Sequence, residues 1–277
     1  MKRAGVMGWP VEHSRSPVLH RFWLSHYGIA GEYVLLPVRP DELEGALRSL
    51  APRGFAGCNL TLPHKAAALP FLDEIEPAAR RVGAVNTVIV QPGGKLLGRN
   101  TDGEGFLAHL RETAPEWRAG AGPAVVLGAG GAARAVVAAL LGTGVAELRL
   151  ANRHRERAAA LAASLAGPIS VIDWGDRAVA LSDAALLVNA TSLGQKGQPP
   201  LALALDALPR TAVVDDLVYV PLETALLKAA RARGLKTADG LGMLLHQAVR
   251  GFELWFGQRP EVTAELRALV EADLRGA

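Results

Sequence analysis

The stretch "AVVLGAGGAARAVVAALL" (124–141) sets a short apolar run against a glycine-rich turn and then an alanine-rich segment. The apolar run reads as a buried strand, and the segment from Ala132 onward reads as a helix. Gly128, Gly130 and Ala133 fit the pattern G-x-G-x-x-[GA], in the strand–turn–helix setting that gives the pattern its meaning. Gly128 permits the tight turn, Gly130 lets the backbone approach a pyrophosphate, and Ala133 allows close helix packing. Backbone N–H groups around Ala129, Gly131 and Ala132, with the positive end of the helix dipole, then face the phosphates. The stretch is a candidate dinucleotide site.

The same alternation continues beyond it. "ELRLAN" (147–152), "PISVIDW" (168–174), "AALLVNATS" (184–192) and "TAVVDDLVY" (211–219) read as strands, with a helix over "HRERAAALAASLAG" (154–167) and another after the last strand. Strands spaced by helices of this length predict a parallel, doubly wound sheet. The N-terminal block is less regular. "AGVMG" (4–8), "EYVLLPV" (32–38) and "GFAGCNLTLP" (54–63) are expected strands, and "AVNTVIVQPGGKLLGRN" (84–100) an expected hairpin around "PGG". "SRSPVLHRFWLSHYG" (14–28) offers Ser16 as N-cap, Pro17 at the first helical position and Gly28 as the stop. "PDELEGALRSL" (40–50) is a second helix, and two more close the chain over 242–257 and 261–274. The block reads as a mixed α/β unit. The Gly-, Ala- and Pro-rich "TAPEWRAGAGP" (113–123) is a boundary candidate.

A chain of 277 residues, half of them apolar, is long for a single core and favours two domains. Its net charge of +3 is too small for a nucleic-acid binder, which concentrates charge on one face. The single Cys58 excludes an intramolecular disulfide, fits a reducing compartment, and reads as a small buried residue. The seven histidines show no pair at ligand spacing on one expected helix face, so no metal site is expected. The basic N-terminus is followed by no apolar core, which argues against a signal peptide. Arg134 and several glycines interrupt the best candidate for a membrane span. A soluble, cytoplasmic protein is expected, with no nucleic-acid or membrane partner; the oligomeric state stays open, with a homodimer as the candidate.

The second strand of the dinucleotide unit selects the cofactor. A site for NAD wants a carboxylate at that strand's C-terminal end, on the ribose 2′-OH. Glu147 stands at the other end of "ELRLAN", on the order of 16 Å away at about 3.3 Å per residue. The C-terminal end carries Asn152 and Arg153, with Arg155 and Arg157 close behind. A guanidinium there can pair with a 2′-phosphate, which points to NADP. Cations at a helix N-terminus are unfavourable unless an anion is near.

"HSRSP" (13–17), "NLTLPHK" (59–65), "AVNT" (84–87), "GRNTDGEGF" (98–106), "GAGGAARA" (128–135), "NR" (152–153), "NATSLG" (189–194), "DLVYVPLETALL" (216–227) and "GLGMLLHQAVRGFELWFG" (240–257) follow one another in an order that resembles shikimate dehydrogenases. The resemblance covers nearly the whole chain. It implies two α/β domains with a cleft between them: a substrate domain with a mixed sheet from 1–101 plus 240–277, and a Rossmann-type NADP domain over 102–239. The implied reaction is NADPH-dependent, reversible reduction of 3-dehydroshikimate to shikimate, in chorismate biosynthesis. Lys65 and Asp102 match the pair at the reacting oxygen. Hydride arrival at a carbonyl leaves an alkoxide that needs a proton donor or a positive charge; the resemblance leaves open which of the two transfers the proton.

The other implied roles attach residue by residue. Ser14 and Ser16 match serines on the substrate carboxylate, while Asn59, Thr61, Asn86 and Gln247 match residues on the ring hydroxyls. A polyol acid needs such donors and acceptors, because an apolar pocket leaves its hydroxyls unpaired. Tyr219 matches a tyrosine near the substrate carboxylate, with a plain core position as the competing reading. Gly240 and Met243 match positions beside the nicotinamide. Thr191, Ser192 and Leu217 join Asn152, Arg153, His154 and Arg157 as implied cofactor residues. Three rivals remain: a broader quinate/shikimate dehydrogenase using NAD or NADP, a non-catalytic NADP-binding regulator, and a methylene-tetrahydrofolate dehydrogenase relative, which would want an apolar pterin pocket.

His154 departs from the resemblance, because the family commonly carries threonine there. A threonine hydroxyl bonds a 2′-phosphate at any pH, whereas an imidazole does so more strongly when protonated. Free histidine side chains titrate near about 6.5. Affinity for NADP is therefore expected to weaken from about pH 6 to 8 more than in a His154→Thr variant. Calorimetric binding at each pH checks this, and identical profiles would remove His154 from the phosphate site.

Overall fold

The computed structural model describes residues 1–276. They form two compact units, Met1–Thr101 with the chain from Gln247 onward, and Asp102–His246. The loose segment 113–123 lies inside the second unit, as the connection after a helix.

The first unit opens with β1 (Lys2–Gly8), α1 (Ser16–His26) and β2 (Gly31–Pro37). A 3₁₀ turn (Pro40–Glu42) and α2 (Leu43–Arg48) replace the single helix expected over 40–50. β3 (Gly57–Leu60) is shorter than the expected strand. Gly54 has φ +74°, in the left-handed region, and Pro63 has no N–H for a ladder, so both ends of the expected stretch lie outside the strand. α3 (His64–Ala67), β4 (Glu74–Ile75) and α4 (Pro77–Val82) lead to the expected hairpin of β5 (Thr87–Val90) and β6 (Leu96–Arg99). The sheet order is β2-β1-β3-β5-β6-β4. β1 pairs parallel with β2 and β3, whereas β5 pairs antiparallel with β3 and β6, so the sheet is mixed.

The start of α1 differs from expectation by one residue. Ser16 is its first helical residue, Arg15 holds the cap position, and Ser14 Oγ accepts the Ser16 N–H at 3.4 Å. The side-chain oxygen at this helix end therefore comes from Ser14.

The second unit begins with α5 (Asp102–Thr113), β7 (Ala124–Leu127), α6 (Gly131–Gly142), β8 (Leu148–Ala151), α7 (Arg155–Leu165) and β9 (Ile169–Ile172). β10 (Leu186–Asn189), β11 (Val213–Asp216), α8 (Ala225–Ala232) and β12 (Lys236–Asp239) complete the sheet. All its pairings are parallel, in the order β9-β8-β7-β10-β11-β12. Counted within the unit, that is the 3-2-1-4-5-6 order of a doubly wound fold. The strands read as continuous apolar runs because both faces are covered. Val126, Leu150 and Val188 pack on one side with Phe106 and Leu110, while Val125, Leu187 and Val214 pack on the other with Leu226 and Leu227. This alternation with period two is the strand geometry itself. α9 (Gly240–Phe256) carries the chain back into the first unit, where α10 (Ala264–Arg275) ends it. No helix among the described residues is long and apolar enough to cross a membrane.

Two packed faces hold the first unit. Met7, Cys58, Leu60 and Val88 meet Leu43 and Leu47 of α2; burial pushes the Cys58 thiol upward, so it stays a neutral, apolar side chain. An aromatic cluster lies around His20, whose ring stacks on Tyr33 at 3.9 Å and an interplanar angle of 7°. Trp23, Phe252 and Trp255 complete it. Both nitrogens of the His20 ring are buried without a hydrogen-bond partner.

Burial pushes the pKa of His20 down to about 3. The unfolded chain then binds a proton near pH 6.5 that the folded chain refuses, so this group lowers stability as pH falls from its unfolded pKa towards its folded one. Urea unfolding between about pH 6 and 4 is expected to show roughly a tenfold loss in the folding equilibrium per pH unit from His20. A His20→Phe variant is expected to lose that part of the slope.

Candidate active site

The polar residues of the first unit gather at the junction of β3 and β5. Their antiparallel pairing sets Asn59 opposite Thr87. Asn59 Nδ2 donates to the Asn86 carbonyl at 3.0 Å and to the Thr87 hydroxyl at 3.2 Å. Asn59 Oδ1 accepts from the Tyr33 hydroxyl at 2.6 Å, and Tyr33 shares a further hydrogen bond with Ser16. Burial holds the Tyr33 phenol well above its ordinary pKa, so it remains a donor.

Asn86 is the hub. Its Oδ1 accepts from the Thr101 N–H at 2.8 Å and the Thr87 hydroxyl at 3.0 Å. Its Nδ2 donates to Thr101 Oγ1 at 3.0 Å and to Gln247 Oε1 at 3.2 Å. Asn86 is 2% exposed, and Thr87 and Thr101 are fully buried. Buried amides and hydroxyls are costly unless bonded, and these bond to one another. Ser16, Asn59, Asn86 and Gln247, far apart in sequence, thus belong to one connected polar set.

Ser14 stands half-buried at the start of α1. Thr61 follows β3, its N–H donating to the Met7 carbonyl at 2.9 Å, and its methyl fills the space a Cβ on Gly8 would need. Lys65 sits half-buried in α3, where its carbonyl accepts the Val85 N–H at 2.7 Å. Asp102 is 5% exposed and opens α5, where the helix dipole favours a carboxylate. Lys65 belongs to the first unit and Asp102 to the second.

In the second unit the strand order reverses between β7 and β10, the position at which doubly wound sheets take ligands. Gly128, just after β7, has φ +115°, and a Cβ there would lie 2.7 Å from the Ala190 carbonyl oxygen. Only glycine serves, and the close approach sets Thr191 and Ser192, after β10, beside the turn. Gly130 caps α6, and a Cβ on Gly130 or Gly131 would meet no heavy atom within 4 Å. Ala129 and Ala132 are half-buried, and Ala133 is fully buried against the sheet, as close helix packing requires.

The Gly128 N–H donates to the Ala151 carbonyl at 2.8 Å, which puts the C-terminal end of β8 next to the turn. Asn152 follows, its Nδ2 donating to the His154 carbonyl at 2.9 Å. Arg153, His154 and Arg157 are exposed, and His154 Nδ1 lies 3.7 Å from a Glu156 carboxylate oxygen. Arg155, expected with them, turns away: its guanidinium pairs with Asp173 at 2.7 Å. Among the described residues Arg153 and Arg157 form no ion pair. Glu147, at the far end of β8, pairs with Arg149 at 2.9 Å.

Leu217 follows β11, and a Cβ on Gly240 would lie 2.1 Å from its carbonyl oxygen, so these two backbones touch. Tyr219 is half-buried two residues on. Met243 is 9% exposed and belongs to the core that includes Phe106 and Val188.

Sequence reading missed Tyr33, Thr87, Thr101 and Asp216. The two threonines lie in "AVNT" and "GRNTDGEGF", each directly after an asparagine. Tyr33 is one of few polar side chains facing inward from an otherwise apolar strand, and no local signal marks its partner. Asp216 accepts from the Thr224 hydroxyl at 2.6 Å, the Asn189 amide at 2.8 Å and the Val218 N–H at 3.1 Å, and so orders the segment carrying Leu217 and Tyr219. Burial raises its pKa, against the pull of those bonds.

Comparison with known proteins accounts for this combination. Residues 6–88 match the family described as shikimate dehydrogenase substrate binding domain, 118–196 that described as shikimate/quinate 5-dehydrogenase, and 240–269 the shikimate 5′-dehydrogenase C-terminal domain. The chain is 60% identical to a shikimate dehydrogenase (NADP(+)) of Paramagnetospirillum magneticum, over 96% of its own length and 97% of the relative's. It is similar to the shikimate 5-dehydrogenase of Thermus thermophilus in complex with NADP(H) and shikimate, at TM-score 0.86 and 41% identity over 100% of this chain and 99% of that one. The quinate dehydrogenase of Corynebacterium glutamicum in complex with NAD superposes with TM-score 0.90 at 34% identity, over 98% of this chain and 100% of that one. A mixed-sheet unit with a buried carboxamide hub, a doubly wound unit with a glycine turn and likeness along the full length together make the chain a member of the shikimate dehydrogenase family.

Proposed function

We propose that this chain reduces 3-dehydroshikimate to shikimate, reversibly, with NADPH, as a cytoplasmic step of aromatic amino-acid biosynthesis. The observation that carries the reading is the full-length likeness to the Paramagnetospirillum magneticum relative, whose name specifies both shikimate and NADP(+). The lone buried Cys58 fits a reducing compartment. The substrate domain is read as 1–101 plus 240–277 and the NADP domain as 102–239.

The residues of the second unit fit the dinucleotide. Gly130 and Gly131 leave room over the turn, α6 points its N-terminus there, and Arg153 and Arg157 offer exposed guanidiniums for a 2′-phosphate. Asn152 orders the start of that basic segment, and His154 adds a ring donor. Ala129, Ala132, Thr191, Ser192, Leu217, Gly240 and Met243 are proposed to border the same ligand. When bound, NADPH supplies the hydride that converts the ketone carbon to a carbinol carbon.

The protein's own part is to orient the ring and to handle the proton. Ser14 and Ser16 are proposed for the substrate carboxylate, at the N-terminus of α1, with Tyr219 contributing. Asn59, Thr61, Asn86 and Gln247 are proposed for the ring hydroxyls; the bonds among three of them hold the amides in fixed orientations before substrate arrives. Lys65 and Asp102 form the acid–base pair: one proton passes to the ketone oxygen as negative charge develops on it, and in the reverse direction returns from the hydroxyl. A non-catalytic binder would need no such pair. Quinate with NAD is the second reading, favoured by the likeness to the Corynebacterium glutamicum protein.

Mixing the protein with shikimate and NADP is expected to produce the absorbance of reduced nicotinamide, at a kcat/KM well above that for quinate with NAD. The opposite ranking would replace the first reading by the second. A Lys65→Ala variant is expected to bind shikimate within a few-fold of the parent while kcat falls by about 10²–10⁴. Unchanged turnover would take Lys65 out of the chemistry.

A further inference from the structure

Apart from the residues proposed for substrate and cofactor, the second unit gathers three metal-type donors from two helices. α5 carries His109 and Glu112, three residues apart and therefore on one face, and α9 brings His246. Glu112 Oε2 lies 2.8 Å from His246 Nε2 and 3.7 Å from His109 Nδ1. One donor atom from each of the three lies within 4.8 Å of the others. Metal–ligand bonds of about 2.0–2.2 Å in tetrahedral geometry set donors about 3.3 Å apart. The spacings of Glu112 to the two rings fall on either side of that value.

The surroundings suit such an ion. The His109 side chain is 7% exposed and that of His246 16%, whereas Glu112 is 58% exposed, which gives an ion a route from solvent. His109 Nε2 lies 3.9 Å from Asp239 Oδ1, an oxygen that also accepts the Gly242 N–H at 3.1 Å. The 3.9 Å separation is outside hydrogen-bond range, so Asp239 acts on the ring as a nearby negative charge. Ligation through Nδ1 requires the ring proton on Nε2 and the Nδ1 lone pair toward Glu112. The Thr113 hydroxyl, 3.3 Å from Nδ1, only has to rotate when that lone pair is taken.

We propose that His109, Glu112 and His246 bind a divalent transition-metal ion of the zinc type, with water as the fourth ligand, and that the ion ties α5 to α9 within the second unit. Two imidazoles and one carboxylate select zinc, cobalt or nickel over magnesium or calcium, which prefer oxygen alone. The site is separate from hydride and proton transfer. Its consequence is mechanical, because α5 begins at Asp102 and His246 is followed directly by Gln247.

The test is calorimetric titration of the chelator-stripped, full-length protein with Zn²⁺, alongside visible spectra with Co²⁺. Saturable binding of about one ion per chain is expected, with a tetrahedral Co²⁺ spectrum and a rise in melting temperature. His246→Gln and His109→Gln are each expected to weaken binding by at least about 100-fold. Glu112→Gln, at an exposed position where folding is not at stake, is expected to weaken it as well. Absence of saturable binding, or unchanged affinity in Glu112→Gln together with either histidine variant that retains the parent circular-dichroism spectrum, overturns the proposal.

Discussion

The Asn86 carboxamide is the constraint on which the first unit's polar architecture rests. It bonds Thr101, the last residue before the chain leaves for the second unit, and Gln247, the first after it returns. A buried polar group left without a partner costs about 1–3 kcal/mol, more than the roughly 1 kcal/mol that one made bond contributes. Asn86, Thr87, Thr101 and Asn59 therefore hold one another in a single arrangement, and both points where the chain passes between units are pinned to it. Tyr33 extends the set to Ser16, so the amides and the start of α1 are ordered together.

The second unit meets the same demand with backbone instead of side chains. Its sheet is parallel and covered on both faces, so the central strands are mainly apolar and polar groups gather at their C-terminal ends and in the loops beyond. At the order reversal, the Ala190 carbonyl comes so close to Gly128 that no side chain fits, and this brings the loops after β7 and β10 together. Asp216 does for the β11 loop what Asn86 does in the first unit, with its two oxygens shared among Thr224, Asn189 and Val218. Its neighbour Asp215 points into the opposite face of the strand and is driven towards the neutral form by burial and by the charges of Asp216 and Asp239.

Most of the fold was legible because it depends on local pattern. The run from Ala124 to Leu141 carries its strand, its turn and its helix in consecutive residues, and the hairpin around "PGG" does likewise. β3 is shorter than its hydropathy suggests, and the expected stretch includes Gly54, with its left-handed backbone, and Pro63, which lacks an N–H. Ser16 was expected as a cap and is the first helical residue, because Ser14 two positions earlier supplies the oxygen. Arg155 was grouped with its neighbours by proximity in sequence, and Asp173 on another segment takes it away.

The amino-acid sequence alone determined the periodicities, the glycine turn and the placing of basic residues after β8, each of which is written in neighbouring residues and decided by sterics or local charge. Tertiary structure decided which polar groups meet. Tyr33 finds Asn59 across 26 positions and Glu112 finds His246 across 134, and no local rule links such partners. The physical reason is that a buried hydrogen bond is specified by burial and direction at both ends, and those exist only once the strands and helices have packed.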